Sequence, residues 1–166
     1  MPSKMELILY QNKILREKCG EIKEFDRDLE NTASEMLGIM YKNNGVGLSA
    51  PQVGIGKRLI AVNIGQAPVV LANPKVMEKS GKEIMEEGCL SFPGLFLKIE
   101  RPGRIKVKAQ SIKGESIEFE TKGLLARVLQ HEIDHLDGIL FIDRIGFFKR
   151  WKIRKKLKEL AKPQKT

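Results

Sequence analysis

The feature that most constrains this chain is the segment HEIDH at residues 131–135, which holds both of its histidines. Residues at i and i+4 lie on one face of an α-helix, so a helix here would place the two imidazoles side by side. Leu124 and Val128 continue the same face, and Gly138 suits the position after a helix end. We therefore predict a helix from about residue 121 to Gly138, with both histidines on a buried face.

Glu132 gives this segment a chemical interpretation. A glutamate that follows the first of two such histidines can reach a water molecule on a shared ion without binding the ion itself. This pattern is typical of metal-assisted hydrolysis. The alternative is a pair of buried, hydrogen-bonded histidines beside a solvated glutamate. Because the chain's only two histidines stand at ligand spacing around Glu132, the metal site is favoured.

A catalytic zinc or iron site needs a third protein ligand and an open position for water. Glu159, the only glutamate after the motif, stands in a run of Lys and Arg that is typical of a solvated helix face. Cys89 is the better candidate, because thiolates bind such metals tightly and it stands in a small-residue turn, EGCLS at 87–91. Cys19 has no such context, and we interpret it as a packing residue. As a fourth ligand, Cys19 would close the site and leave Glu132 without a role.

A glycine-rich segment, GVGLSAPQVG at 45–54, is the third candidate. Its glycines let the backbone approach a ligand or another strand closely. Gln52 offers two amide donors that could polarise a carbonyl group. The alternative is a simple turn between a helix and a strand. A phosphate loop is excluded, because the segment lacks the Lys-Ser/Thr ending and a preceding strand.

The rest of the chain predicts an α+β fold. Apolar residues spaced by three and four predict an amphipathic helix from about Asp26 to Asn43. From about Arg58 to Thr121 the apolar period changes to two, which predicts strands. Since only short loops separate them, we expect mainly antiparallel sheets, packed around the central histidine-bearing helix. The predicted strands are 59–64, 69–72, 95–99, 105–109 and 116–120, followed by a short strand at 139–142 and a helix from about Phe148 to Ala161 that Pro163 ends.

Composition excludes several other classes. No apolar run approaches the roughly 20 residues of a membrane helix. The N-terminus has no apolar signal-peptide core, and two cysteines are too few for a disulfide framework. We therefore expect a cytoplasmic protein without membrane association. We also expect it to be a monomer.

The net charge of +9 is concentrated at one end of the chain. Residues 149–166 carry nine Lys and Arg against one Glu, so the remainder is nearly neutral. The simplest division is a catalytic domain at 1–147 and a basic helix with its tail at 148–166. A solvated face is one interpretation of this run, but its charge density favours a phosphate-rich partner.

The three segments together resemble those of the peptide deformylase family, metal hydrolases that remove the N-formyl group from nascent polypeptides. GVGLSAPQ at 45–52, EGCLS at 87–91 and QHEIDH at 130–135 occur in the family's order. The resemblance implies that Cys89, His131 and His135 bind one divalent metal ion per chain. It favours Fe(II), with Zn(II) as the alternative.

The resemblance also implies further roles. Glu132 would shuttle the proton, and the Gln52 side chain and the Leu90 backbone N–H would stabilise the oxyanion. The substrate would be the N-terminal formyl-methionine of a nascent polypeptide, which releases formate, and ribosomal RNA would bind the basic helix from Lys149 to Lys165. The residues expected to contact the peptide are Gly45, Val46, Gly47, Leu48 and Val128. Some family members carry a substrate-facing Arg shortly after EGCLS, whereas residues 93–97 here read PGLFL.

Two other functions fit parts of the pattern. A metallopeptidase would use the same parts to cut an internal peptide bond. A basic RNA-binding module with a structural Cys2His2 zinc would need Cys19 as a ligand, but it leaves Gln52, Glu132 and the glycine-rich segment unexplained.

Overall fold

A computed structural model of the chain describes residues 5–162, in which three α-helices and seven β-strands are present. The helices are α1 (Arg27–Lys42), α2 (Gly123–Leu136) and α3 (Phe147–Leu160). The strands are β1 (Gly47–Ser49), β2 (Leu59–Val62), β3 (Val69–Ser80), β4 (Glu83–Gly88), β5 (Phe96–Arg101), β6 (Arg104–Gln110) and β7 (Ser116–Lys122). Short 3-10 helices lie at Lys13–Arg16, Ala50–Val53 and Phe141–Arg144.

The strands form one five-stranded sheet in the order β1-β2-β3-β6-β7 and a separate β4-β5 hairpin. All of these strand pairs are antiparallel, as the short connections predict. A turn joins β6 to β7 at Gly114, whose φ of 84° lies in the left-handed region that glycine favours. The α+β class is therefore confirmed, and β1 lies at the edge of the larger sheet.

Helices α1 and α2 begin and end close to their predicted bounds. The Asp26 carboxylate accepts a hydrogen bond from the Leu29 N–H and caps α1. Helix α2 is buried at every residue from Ala126 to Leu136. One face of α2 packs on the large sheet, and its histidine-bearing face meets the hairpin. Gly138 follows the end of α2. An ideal Cβ built on Gly138 would lie 2.5 Å from the Arg16 carbonyl oxygen, so any side chain there would collide with it.

The structure differs from the sequence predictions in three places. The strand predicted at 139–142 is wrong, because the Asp143 carboxylate accepts from the Leu140 N–H and bends the chain into a 3-10 helix. Strand β3 runs to Ser80 rather than residue 72, since a register shift after Ala72 absorbs the break at Pro74. Strand β4 was not predicted, because its sequence EIMEEG is polar and mostly exposed.

The basic helix α3 packs on the body through Leu157, which is buried with Phe92, Leu95 and Phe141. None of the helices in residues 5–162 is long and apolar enough to cross a membrane. The predicted helix end at Pro163, the basic residue Lys165 and the first four residues lie outside the described part of the chain.

Candidate active site

Three candidate metal ligands meet between α2 and the end of the hairpin. Their ligand atoms, from Cys89, His131 and His135, all lie within 4.8 Å of one another. Cys89 directly follows β4, and its Sγ lies 3.3 Å from Nε2 of His135. One thiolate and two imidazole nitrogens suit a divalent transition metal, so the donor set fits the metal that the sequence predicts.

His135 is suited to act as a ligand. Burial lowers its pKa well below the usual value, and the positive charges of His131 and Arg101 lower it further. A neutral imidazole keeps a nitrogen lone pair for a metal ion. Cys19, in contrast, is not part of this group: it is buried against the large sheet, and its N–H donates to the Leu136 carbonyl.

Glu87 orients His131. Nδ1 of His131 lies 3.1 Å from the Glu87 carboxylate, which leaves Nε2 as the nitrogen available to an ion. Burial raises the pKa of Glu87, but hydrogen bonds from His131 and Arg101 and the Arg101 charge outweigh this and lower the pKa to about 2. Glu87 therefore stays ionised beside the candidate ligand.

A network of buried charges surrounds Glu87, and sequence reasoning missed it. Arg101 donates two hydrogen bonds to Glu87, at 2.6 and 3.0 Å, and a third to Asp134 at 2.8 Å. Arg127 donates to Glu87 at 2.6 Å and to the Ile99 carbonyl at 3.0 Å. Charged residues inside the largely apolar α2 sequence, Arg127 and Asp134, were the signal that could have revealed it. Each guanidinium holds an anion, so the buried charges are paired rather than isolated.

The Gln52 amide points at the candidate ligands. The backbone N–H and the hydroxyl of Ser49 both donate to Gln52 Oε1, each at 2.9 Å. Nε2 therefore faces the other way, where it donates to Ser91 Oγ at 3.2 Å and lies 3.5 Å from Cys89 Sγ. The short 3-10 helix after β1 thus places an amide donor beside the predicted metal site, where it could bind a carbonyl oxygen.

Glu132 lies against β1. An ideal Cβ at Gly47 would stand 2.5 Å from Glu132 Oε1 and 2.8 Å from a methyl group of Val128, so this contact requires glycine. Burial raises the pKa of Glu132 to about 7, and the positive charges of His131 and Arg101 only partly oppose it. Oε2 has no hydrogen-bond partner among the described residues. A carboxylate with a pKa near neutrality and a free oxygen is suited to proton transfer.

A cavity of about 540 Å³ opens onto Cys89, His131 and Glu132. Four of the residues predicted to contact substrate line it, namely Gly45, Val46, Gly47 and Val128, and so does Leu90. Leu48 differs, because its side chain is fully buried in the core between α1 and β2.

Comparison with known proteins identifies relatives over almost the whole chain. Residues 4–151 match the family model described as polypeptide deformylase. The peptide deformylase of Thermotoga maritima is 46% identical over 158 residues, which cover 95% of this chain and 96% of the relative. The peptide deformylase of Thermodesulfovibrio yellowstonii is also 46% identical, with coverage of 93% and 96%.

Solved structures agree with the sequence relatives. The crystal structure of the Thermotoga maritima peptide deformylase superposes with a TM-score of 0.84 at 45% identity and covers 86% of this chain and 97% of that one. A plant peptide deformylase gives a TM-score of 0.91 at 38% identity, with coverage of 96% and 90%. A Plasmodium falciparum peptide deformylase in complex with an inhibitor gives 0.88 at 41% identity, with coverage of 94% and 99%.

Proposed function

The chain belongs to the polypeptide deformylase family and removes the N-formyl group from nascent polypeptides, and we propose that Cys89, His131 and His135 hold its divalent metal ion. The observation that carries this proposal is the convergence of one sulfur and two imidazole nitrogens within 4.8 Å, beside a cavity that Cys89 and His131 line. The family match does not support the metallopeptidase alternative.

A metal bound by these ligands would supply Lewis-acid chemistry, by acidifying a water molecule and polarising the formyl oxygen. Glu132 would take the proton of the attacking water at Oε2, the carboxylate oxygen without a partner. As the C–N bond breaks, Glu132 would give that proton to the leaving amine nitrogen, so that formate and a free N-terminus result. One carboxylate thus serves first as base and then as acid.

Two donors of the chain would stabilise the negative charge that develops on the formyl oxygen. Gln52 Nε2 is held in place by the Ser49 contacts to the other end of its amide. The Leu90 backbone N–H makes no hydrogen bond to the described residues and adjoins the predicted ligand Cys89. Each such donor is worth about 3 kcal/mol of barrier lowering.

The peptide would lie along the free edge of β1. Because β1 pairs with β2 on one side only, its other edge can accept an added strand. Glycine is required beside this edge, since a Cβ at Gly45 would stand 2.7 Å from a methyl carbon of Leu90, and a Cβ at Gly47 would stand 2.5 Å from Glu132 Oε1. Val46 and Val128 would contact the methionine side chain at the cavity wall.

For the metal we propose Fe(II), on the strength of the family resemblance, with Zn(II) as the alternative. Protein purified without oxygen should contain about one iron per chain, lose formate release in air, and regain it with Fe(II) but not with Zn(II). Cys89→Ser should lower the metal content, whereas Cys19→Ser should retain it, because Cys19 lies outside the ligand group. Full recovery with Zn(II), or unchanged metal in Cys89→Ser, would contradict the assignment.

We also propose that α3 binds ribosomal RNA while residues 1–147 carry the catalysis. Seven Lys and Arg side chains on α3 are exposed, against one glutamate. Because its substrate is a nascent polypeptide, we propose a cytoplasmic location near the ribosome. We also expect the enzyme to act as a monomer.

A further inference from the structure

A second cavity, of about 620 Å³, lies between α2, β3 and the segment before α1. The α2 residues that line it, Gln130, Ile133 and Asp134, lie on a different face of the helix from His131 and Glu132. Among residues 5–162, no residue lines both this cavity and the active-site cavity. A volume of this size is typical of a site for a small molecule.

The arginines of the second cavity are already paired with carboxylates. Each of the three arginines that line it donates to an aspartate that also lines it: Arg58 to Asp137, and Arg101 and Arg144 to Asp134. Glu100 pairs with Lys82, which lies outside the cavity, at 3.4 Å. These ion pairs hold the walls in place and leave little of the arginine charge for a ligand.

Three lysines of the second cavity remain without such a partner. Lys18, Lys75 and Lys79 line it, are exposed, and form no ion pair with the described residues. Among the carboxylates of the lining, only Glu21 is likewise unpaired within residues 5–162. The charge that is free to meet a ligand is therefore positive.

A bulge in β3 brings Lys79 into the second cavity. The register shifts between Val76 and Glu78, and after the shift Lys79 pairs with Ile105. Because Ile105 is buried on the face of the sheet that packs against α2, Lys79 lies on that face as well. In a regular strand Glu78 would take this place, but it lies on the other face, 3.8 Å from Lys106. The bulge thus exchanges an anion for a cation at the cavity wall.

The remaining lining is suited to the uncharged part of a ligand. Val76, Ile133 and Ile139 supply an apolar wall. Gln130 Nε2 donates to the carbonyls of Pro102 and Ala126, whereas its Oε1 makes no hydrogen bond to the described residues. The lysine ammonium groups suit phosphate as point charges, and a compact group with several negative charges can meet lysines from two segments at once.

We propose that the second cavity binds a small molecule through a di- or triphosphate group, which Lys18, Lys75 and Lys79 contact. The group belongs either to a free polyphosphate anion or to a nucleotide. This binding is independent of the deformylase reaction, since the two cavities lie on different faces of α2.

Isothermal titration calorimetry of the full chain with pyrophosphate and with ADP tests the proposal. Pyrophosphate should bind with a Kd below about 1 mM. Lys18→Gln and Lys79→Gln should each weaken this binding about tenfold, because each removes a charged donor, whereas Lys79→Arg should retain it. ADP that binds at least as tightly as pyrophosphate identifies a nucleotide as the source of the group, and weaker binding of ADP identifies a free polyphosphate anion.

Lys108→Gln is the matched control. Lys108 is exposed on β6, next to β3, but does not line the second cavity, so this variant should bind pyrophosphate as the unmodified protein does. Changing Lys152, Lys155 and Lys158 of α3 to Gln should also leave this binding unchanged. Absence of saturable binding, or an equal loss in Lys79→Gln and Lys108→Gln, would overturn the proposal. Formate release and metal content should stay normal in Lys79→Gln, so the result is separate from the deformylase reaction.

Discussion

At the scale of single residues, Glu132 has surroundings unlike those of an ordinary surface glutamate. It is buried, its pKa is raised to about 7 by burial, and its Oε2 has no partner in the described part of the chain. Glu132→Gln keeps the shape of the side chain and removes its ability to take a proton. We expect unchanged metal content and a loss of formate release of roughly 100- to 10,000-fold, the usual contribution of a general acid–base group.

The matched control is Glu120→Gln, the same change at a glutamate that is 59% exposed in β7, far along the sheet order from β1. This variant should keep normal turnover. If Glu132→Gln retained more than about a tenth of the activity, general acid–base catalysis by Glu132 would be the wrong mechanism. Loss of metal in Glu132→Gln would instead assign it a role in holding the site together.

At the scale of elements, α3 supports the loop that follows the proposed metal ligand Cys89. Leu157 of α3 is buried with Phe92 and Leu95, and Lys156 Nζ donates to the Gly94 carbonyl. Leu157→Ala should lower the free energy of unfolding by about 2–3 kcal/mol, because it leaves a cavity in this cluster. Urea denaturation would measure the change.

Phe148→Ala is the control on the same helix. Phe148 is 79% exposed, so its truncation should change stability by less than about 0.5 kcal/mol. An equally small effect of Leu157→Ala would mean that α3 does not depend on this contact. Because α3 completes a core cluster, its role in binding is better tested by changing surface charges than by deleting the helix.

At the scale of the whole molecule, the net charge of +9 is distributed unevenly, and α3 presents most of it on one exposed element. Phosphate contacts make binding to RNA depend on salt through the release of counterions. Changing Lys152, Lys155 and Lys158 to Gln should weaken ribosome binding at least about tenfold and lower the slope of log affinity against log salt by about 2. Turnover of formyl-Met peptides should stay normal. Co-sedimentation with ribosomes at several salt concentrations measures this effect.

A second triple variant tests whether ribosome binding depends on the charge of α3 or on the net charge of the whole protein. Lys57, Lys108 and Lys113 are exposed on the body, and changing them to Gln alters the net charge equally. Ribosome binding should then decrease much less than in the α3 variant. Equal effects of the two variants would assign the attraction to overall charge and leave α3 without a specific role.

The amino-acid sequence by itself determined the features that depend on local pattern. The bounds of α1 and α2 follow from apolar periodicity, the Asp26 cap and the break at Gly138. The i,i+4 spacing places His131 and His135 on one face of any helix that includes them. Short connections between alternating segments determined the antiparallel α+β class.

Only the tertiary structure decided the features that join distant parts of the chain. Strand β4 is too polar to be recognised from its own sequence. Its pairing with β5 places Glu87 and Arg101 on one hairpin, where their side chains form an ion pair, and Arg127 of α2 donates to the same Glu87 carboxylate. Leu48 looked available to a substrate, but packing between α1 and β2 turned its side chain into the core. The physical reason is the same in each case: a helix is specified by residues three and four apart, whereas buried ion pairs, strand partners and cavity walls depend on residues that meet only after the chain has folded.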